Sequence, residues 1–289
     1  MRNIERLSAI YCASVVFGCG VLRADIEPPR ITSIAISNNQ VLLAWTNGHP
    51  TFRVQTRSDL TQDWVNVGAT LTNPAASIPL NAGQAYFRVV SDYTARYRVD
   101  FNATWSAVTH PESFPSGSAH FSGLVGCTHN ESRHFFRQGE TASEGIRLMA
   151  ELGQKTALLN EISAVMADGA ADFQLSGGGI GSSPGSVSLT FPQPMRRDFP
   201  LVTLVSMIAP SPDWFVGVES LSLIENEHWL TNKVVTLYGM DAGTDSGASY
   251  ASPDQVTVPR GLVTEFTDFP ALVNGVIVPF GTFTFTRLD

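Results

Sequence analysis

From Ile31 to Val90 the apolar residues come in runs of strand length, and turn formers cut each run short. The runs Ile31–Ala35, Val41–Trp45, Phe52–Thr56, Trp64–Val67, Ser77–Leu80 and Ala85–Val90 read as strands. Asn47-Gly48 is a strong tight-turn signal, and Asn38-Asn39 and Asn81-Ala-Gly83 are weaker ones. Runs this short cannot bury themselves singly, so their regular spacing predicts a small β-sandwich.

The spacing is that of fibronectin III or immunoglobulin-like modules, and residues 25–96 resemble in composition the spacers of bacterial surface proteins. Ser91–Arg96 makes a short polar hinge, after which a second domain opens at Tyr97-Arg-Val-Asp-Phe101 and runs to Asp268. Within it, Glu144–Leu152 reads as a helix ended by Gly153. Lys155–Ala167 reads as another, with Leu158, Leu159, Ile162, Val165 and Met166 on one face and Gly169 as the stop. These helices are expected to cover an edge or end of a sheet. Strands are predicted at Val187–Phe191, Leu201–Ile208, Phe215–Ile224, Val234–Tyr238 and Gln255–Val258. The tail, residues 269–289, returns to alternation with Phe280, Phe283 and Phe285, and is expected to add strands to one of the sandwiches.

The start reads as an export signal over residues 1–24. Arg2 and Arg6 precede a mostly apolar Leu7–Leu22 run, and Ala24 gives a small residue before cleavage. The run is short for a bilayer span, which needs about 20 apolar residues. A lipoprotein signal with Cys19 as acceptor is the rival reading, against which Phe17 fits poorly. No later run is long enough to cross a membrane.

With 43% hydrophobic and 15% charged residues, the chain has apolar material for one or two packed cores. Its formal net charge of −8 argues against nucleic acid, whose binding rests on Lys and Arg at phosphates, and equally disfavours simple electrostatic binding to anionic glycans or lipid head groups. The cysteines are Cys12, Cys19 and Cys127, so loss of the leader leaves Cys127 alone and no intrachain disulfide. An exported chain held only by packing suggests a bacterial source. Cys127 lies in Gly123-Leu-Val-Gly-Cys-Thr128 with no adjoining base, which points to packing rather than catalysis.

Two loops carry the chemistry: Pro210-Ser-Pro-Asp-Trp-Phe-Val-Gly217 and Asp241-Ala-Gly-Thr-Asp-Ser-Gly247. Carboxylates set among Gly, Ser and Pro beside strands suit a hard cation such as Ca²⁺, bound through several oxygens. The alternative is Asx turn capping.

Several ordered blocks join these loops. They are Trp105-Ser106, His110-Pro-Glu-Ser-Phe-Pro115, Ala119-His-Phe-Ser-Gly-Leu124, Ala142-Ser-Glu-Gly145, Ala150-Glu-Leu-Gly153, Trp229 and Leu237-Tyr238. As a set they resemble the spondin domain, the N-terminal module of matrix proteins. The resemblance implies an all-β fold with two short helices, a C2-like β-sandwich, and a divalent cation at one end. By match the ligands are Asp213 and Asp241, with Asp245 as a further ligand or a turn bond. The family's third acidic ligand falls near Pro192-Gln-Pro194, where this chain has no acid and Asp198 is the nearest. The implied partners are an extracellular protein or glycan.

Other signals are weaker. Trp214 and Trp229 could face sugar rings, although a core role suits Trp214 better. His110, His120, His129 and His134 lack a recognised zinc spacing. Gly181-Ser-Ser-Pro-Gly185 matches G-x-S-x-G, but it leads into a strand rather than a helix. Asn102-Ala-Thr104 and Asn130-Glu-Ser132 are glycosylation sequons. The leading expectation is an exported, non-catalytic binding protein; a hydrolase or carbohydrate-active accessory module, or a purely structural surface protein, are the alternatives.

Overall fold

The computed structural model describes residues 27–80, 85–226 and 228–289. The predicted leader, with Cys12 and Cys19, and the Asn81-Ala-Gly83 turn lie outside the described residues. Six strands form the first unit: β1 Arg30–Ser37, β2 Gln40–Thr46, β3 Phe52–Arg57, β4 Val65–Leu71, β5 Ala75–Pro79 and β6 Tyr86–Ser91. They make two antiparallel sheets of order β1-β2-β5 and β4-β3-β6. Alternate residues point inward, so Val41, Leu43, Trp45, Phe52, Val54, Ile78 and Val89 pack as one core.

Asn38 and Asn39 both adopt positive φ, 49° and 58°, and link β1 to β2 as a two-residue hairpin. Asn47 and Gly48 do the same at 63° and 70°. That second turn joins no hairpin. It carries the chain from one sheet to the other, because β2 pairs with β1 and β5 while β3 pairs with β4 and β6.

The second unit has two antiparallel sheets and a helical layer. One sheet runs in the order Gly185–Thr190, Tyr97–Ala103, Gly281–Arg287, Asn232–Leu237. The tail strand thus sits inside this sheet, flanked on both sides. The larger sheet is ordered Ala171–Ser176, Val125–His129, Leu201–Ala209, Trp214–Ser222, Met240–Asp241, Thr264–Glu265, with His120–Phe121 also pairing the third. Phe101, Trp105, Phe121, Leu204, Val216, Phe283 and Phe285 fill the space between the sheets.

The other face of the larger sheet carries the helices, α1 Glu144–Leu152 and α2 Thr156–Ala167. Ile146, Met149, Leu158 and Ile162 pack there on Val125, Cys127, Val205, Met207 and Phe215. The helices therefore cover a face rather than an edge or end. Leu201–Ala209, covered on both sides, is buried at every residue, which is why it reads as a nearly continuous apolar run, broken only by Thr203 and Ser206, instead of an alternation.

The helix limits follow local chemistry. The Ser143 side chain accepts from the Ile146 amide at the start of α1, and Gly153 closes it at φ 64°. Besides several two-residue strands, two longer ones were not legible in the sequence: Val125–His129 and Ala171–Ser176. In the first, a Cβ built on Gly126 would stand 1.9 Å from the Thr203 carbonyl oxygen, so the strand needs the residue that most weakens its signal. Conversely, Gln255–Val258 forms only one bridge, Val256 to Asp245.

The two units meet at Asp92, which is buried. Its Oδ2 lies 3.0 Å from Arg53 Nη2 and 3.3 Å from Arg197 Nη2, and its Oδ1 lies 3.6 Å from Arg287 Nη1. Its carbonyl accepts from Trp229 Nε1 and Arg197 Nε, both at 2.9 Å. Ser91–Arg96, polar like a hinge, is in this way tied to both units.

Candidate metal centre

Asp213 and Asp241 are brought together by strand pairing. Trp214 stands opposite Asp241, and Phe215 opposite Met240, where the two loops leave the larger sheet. The Ala242 amide donates to the Asp213 carbonyl at 3.2 Å, closing the second loop over the first. Trp214 is held beneath by Tyr250, Phe266 and Phe269, all edge-on. It is core, as is Trp229, so neither offers a sugar-stacking face.

The Asp213 carboxylate is fully buried. Its Oδ2 accepts from the Thr244 amide at 2.6 Å, the Thr244 hydroxyl at 3.2 Å and the Asp245 amide at 3.0 Å. Its Oδ1 has no hydrogen-bond partner. A buried carboxylate oxygen left bare is costly. Burial, and then the Asp241 charge, push the Asp213 pKa up to about 6, against the lowering pull of the Thr244 and Asp245 amides. Asp241 is also raised, first by burial, while its bond from the Gly243 amide lowers it. That bond, at 2.7 Å, uses Oδ1.

Asp245 is engaged differently. Its Oδ1 accepts from the Gly247 amide at 2.7 Å and its Oδ2 from the Gln255 amide at 2.6 Å. Both oxygens thus shape the turn, the Asx role that was the alternative for this residue. Among the described residues no group of three or more His, Cys, Asp or Glu side chains stands in a metal-holding arrangement. The candidate centre is therefore reduced to the Asp213–Asp241 pair. Two carboxylates with one bare oxygen fit a hard cation that completes its shell with carbonyls and water. Asp198, the nearest acid to the family's third position, instead accepts from the Tyr93 hydroxyl.

The remaining candidates are engaged in packing or hydrogen bonds. His110 is buried against Phe280 with ring centroids 4.4 Å apart, and its pKa is pushed down to about 4 by burial. His129 bonds Thr203 Oγ1 at 2.8 Å. His134 pairs with Glu140 at 2.7 Å, and His120 lies exposed on the Ser118 carbonyl. The Ser183 hydroxyl is buried and donates to the Trp105 carbonyl at 2.7 Å rather than to a histidine. Cys127 is fully buried, and that burial raises its thiol pKa. No helix among the described residues is long and apolar enough to cross a membrane.

Sequence comparison places the same loops in a known family. The family described as Spondin_N matches residues 95–272, more than half of the chain. Spondin-2 of Homo sapiens is 36% identical over 176 residues, which are 60% of this chain and 53% of that protein. Spondin-2 of Rattus norvegicus is 38% identical over 176 residues, with the same coverage. Spondin-1 of Gallus gallus is 33% identical over 179 residues, 60% of this chain and 22% of that protein. The chain thus spans about half the length of Spondin-2 and less of Spondin-1. The matched span leaves out β1–β6 and also the Gly281–Arg287 strand that completes the second sandwich. On this match the chain belongs to the spondin family, and Asp213 and Asp241 lie within the shared domain.

Proposed function

We propose that this chain is an exported, non-catalytic binding protein whose spondin domain holds a divalent cation, Ca²⁺ by preference, between Asp213 and Asp241. One observation carries the cation: the buried Asp213 Oδ1 has no donor, beside a second carboxylate that raises its pKa. A cation supplies the missing partner and removes the repulsion at once. Asp245 holds the turn around the centre and adds negative potential to it. The bound cation stiffens both loops and leaves coordination positions for an acidic group of an extracellular protein or glycan. The family's adhesive role supports the binding assignment.

Calcium titration by calorimetry on residues 25–289 tests this, with Asp213→Asn and Asp241→Asn as controls. Each substitution should weaken binding by about tenfold or more, as expected for losing a charged ligand, without loss of folded structure. Background heats from all three proteins would sink the cation reading.

A further inference from the structure

The outer face of the β4-β3-β6 sheet and the second unit enclose a groove of about 670 Å³, within the usual range for ligand sites and in their usual place between domains. Its floor is an ordered polar row. Asn66, Gln55 and Arg88 stand side by side in register across three strands. Gln55 Nε2 donates to Asn66 Oδ1 at 2.8 Å, and Arg88 Nε donates to Gln55 Oε1 at 2.7 Å. Arg88 is further fixed over the Trp64 ring at 4.7 Å.

Those bonds leave some donors of the row unused. Asn66 Nδ2 and the terminal nitrogens of Arg88 make no hydrogen bond among the described residues, while Arg53 Nη2 is taken up by Asp92 at 3.0 Å and His228 Nδ1 at 2.8 Å. The acids in the wall are all engaged. Asp92 is held by Arg53, Arg197 and Arg287, Glu27 by Asn47 at 2.6 Å, and Asp289 by Arg287 at 2.8 Å. The groove thus presents planar donors held by neighbouring side chains on a sheet face, inside a protein whose net charge is −8. Such a site suits a lightly charged ligand gripped at short range, not a polyanion drawn by the overall field.

We propose that this groove binds an anionic saccharide, its carboxylate or sulfate on the terminal nitrogens of Arg88, its hydroxyls along the Asn66–Gln55 row. Planar guanidinium donors match such oxyanions, and fixed amides match hydroxyls that both donate and accept. The site is independent of the cation centre.

Calorimetric titration of the exported chain decides it, using trigalacturonate, its methyl ester, and a sulfated chondroitin disaccharide. At least one acidic probe should bind while the ester does not, and which one binds identifies the anion. Arg88→Gln should weaken binding about tenfold, the loss of a charge-assisted bond, and Asn66→Ala should weaken it to a smaller extent. Binding should persist in EDTA and in Asp241→Asn. Silence from both acidic probes, equal binding of the ester, indifference to Arg88→Gln, or loss in EDTA would each overturn the assignment.

Discussion

Asp213 makes opposite demands with its two oxygens. Oδ2 collects three donors that favour the charge, while Oδ1 is buried with none. Burial and the Asp241 charge win, and the folded-state pKa of about 6 lies above the ordinary value of 3.8. A raised carboxylate destabilises the folded state in its ionised form. Without cation, its contribution is therefore most favourable below about pH 4 and is lost as the pH rises through about 6. We expect the stability difference between the wild type and Asp213→Asn, followed by urea unfolding, to change by about 2 kcal/mol between pH 4 and 7. At pH 7 without cation the variant should be the more stable. Excess calcium should reverse that order, and parallel pH profiles would contradict the account. The aspartates themselves were legible from their loop context and the ordered family blocks. The bare oxygen was not, because it depends on where Thr244 and Asp245 send their amides.

The two helices grip each other through a glycine and a carboxylate. Glu161 of α2 accepts from the Gly145 amide at Oε1 and from the Ser143 hydroxyl at Oε2, both at 2.7 Å, and so caps the start of α1. A Cβ on Gly145 would stand 2.6 Å from both Leu158 Cα and Glu161 Oε2. Alanine is the better helix former, yet here it must push a backbone away. Gly145→Ala should therefore cost about 2 kcal/mol and lower the thermal midpoint, whereas a neutral or stabilising result would remove the packing argument. The helices were visible in the sequence because an apolar stripe and glycine stops are local signals. Val125–His129 was hidden because a strand buried on both faces shows no alternation, and Gly126 interrupts what remains. Which face the helices would cover was equally hidden, since apolar residues on both sides of the larger sheet serve two different cores.

At the scale of the molecule the decisive residue is Asp92. Three guanidiniums from two units share its one carboxylate, so Asp92→Ala leaves like charges facing each other. The expected cost is about 3 kcal/mol, the low end for a broken buried pair because the arginines are partly exposed. Limited proteolysis should then cut between residues 91 and 97, and wild-type resistance in the variant would refute the latch. The sequence showed a polar hinge there, but partners as distant as Arg287 are invisible to a local reading. The fold has a further consequence under load. Tyr97 pairs with Arg287 and Ala103 with Gly281, so the second sandwich is entered and left at the same end of two neighbouring strands. A pull applied between residues 97 and 287 peels this pair rung by rung instead of shearing all its rungs together. The Asp92–Arg287 ion pair stands at the mouth of that zipper. A tether through the junction would strain it first, which makes the joint a mechanical catch.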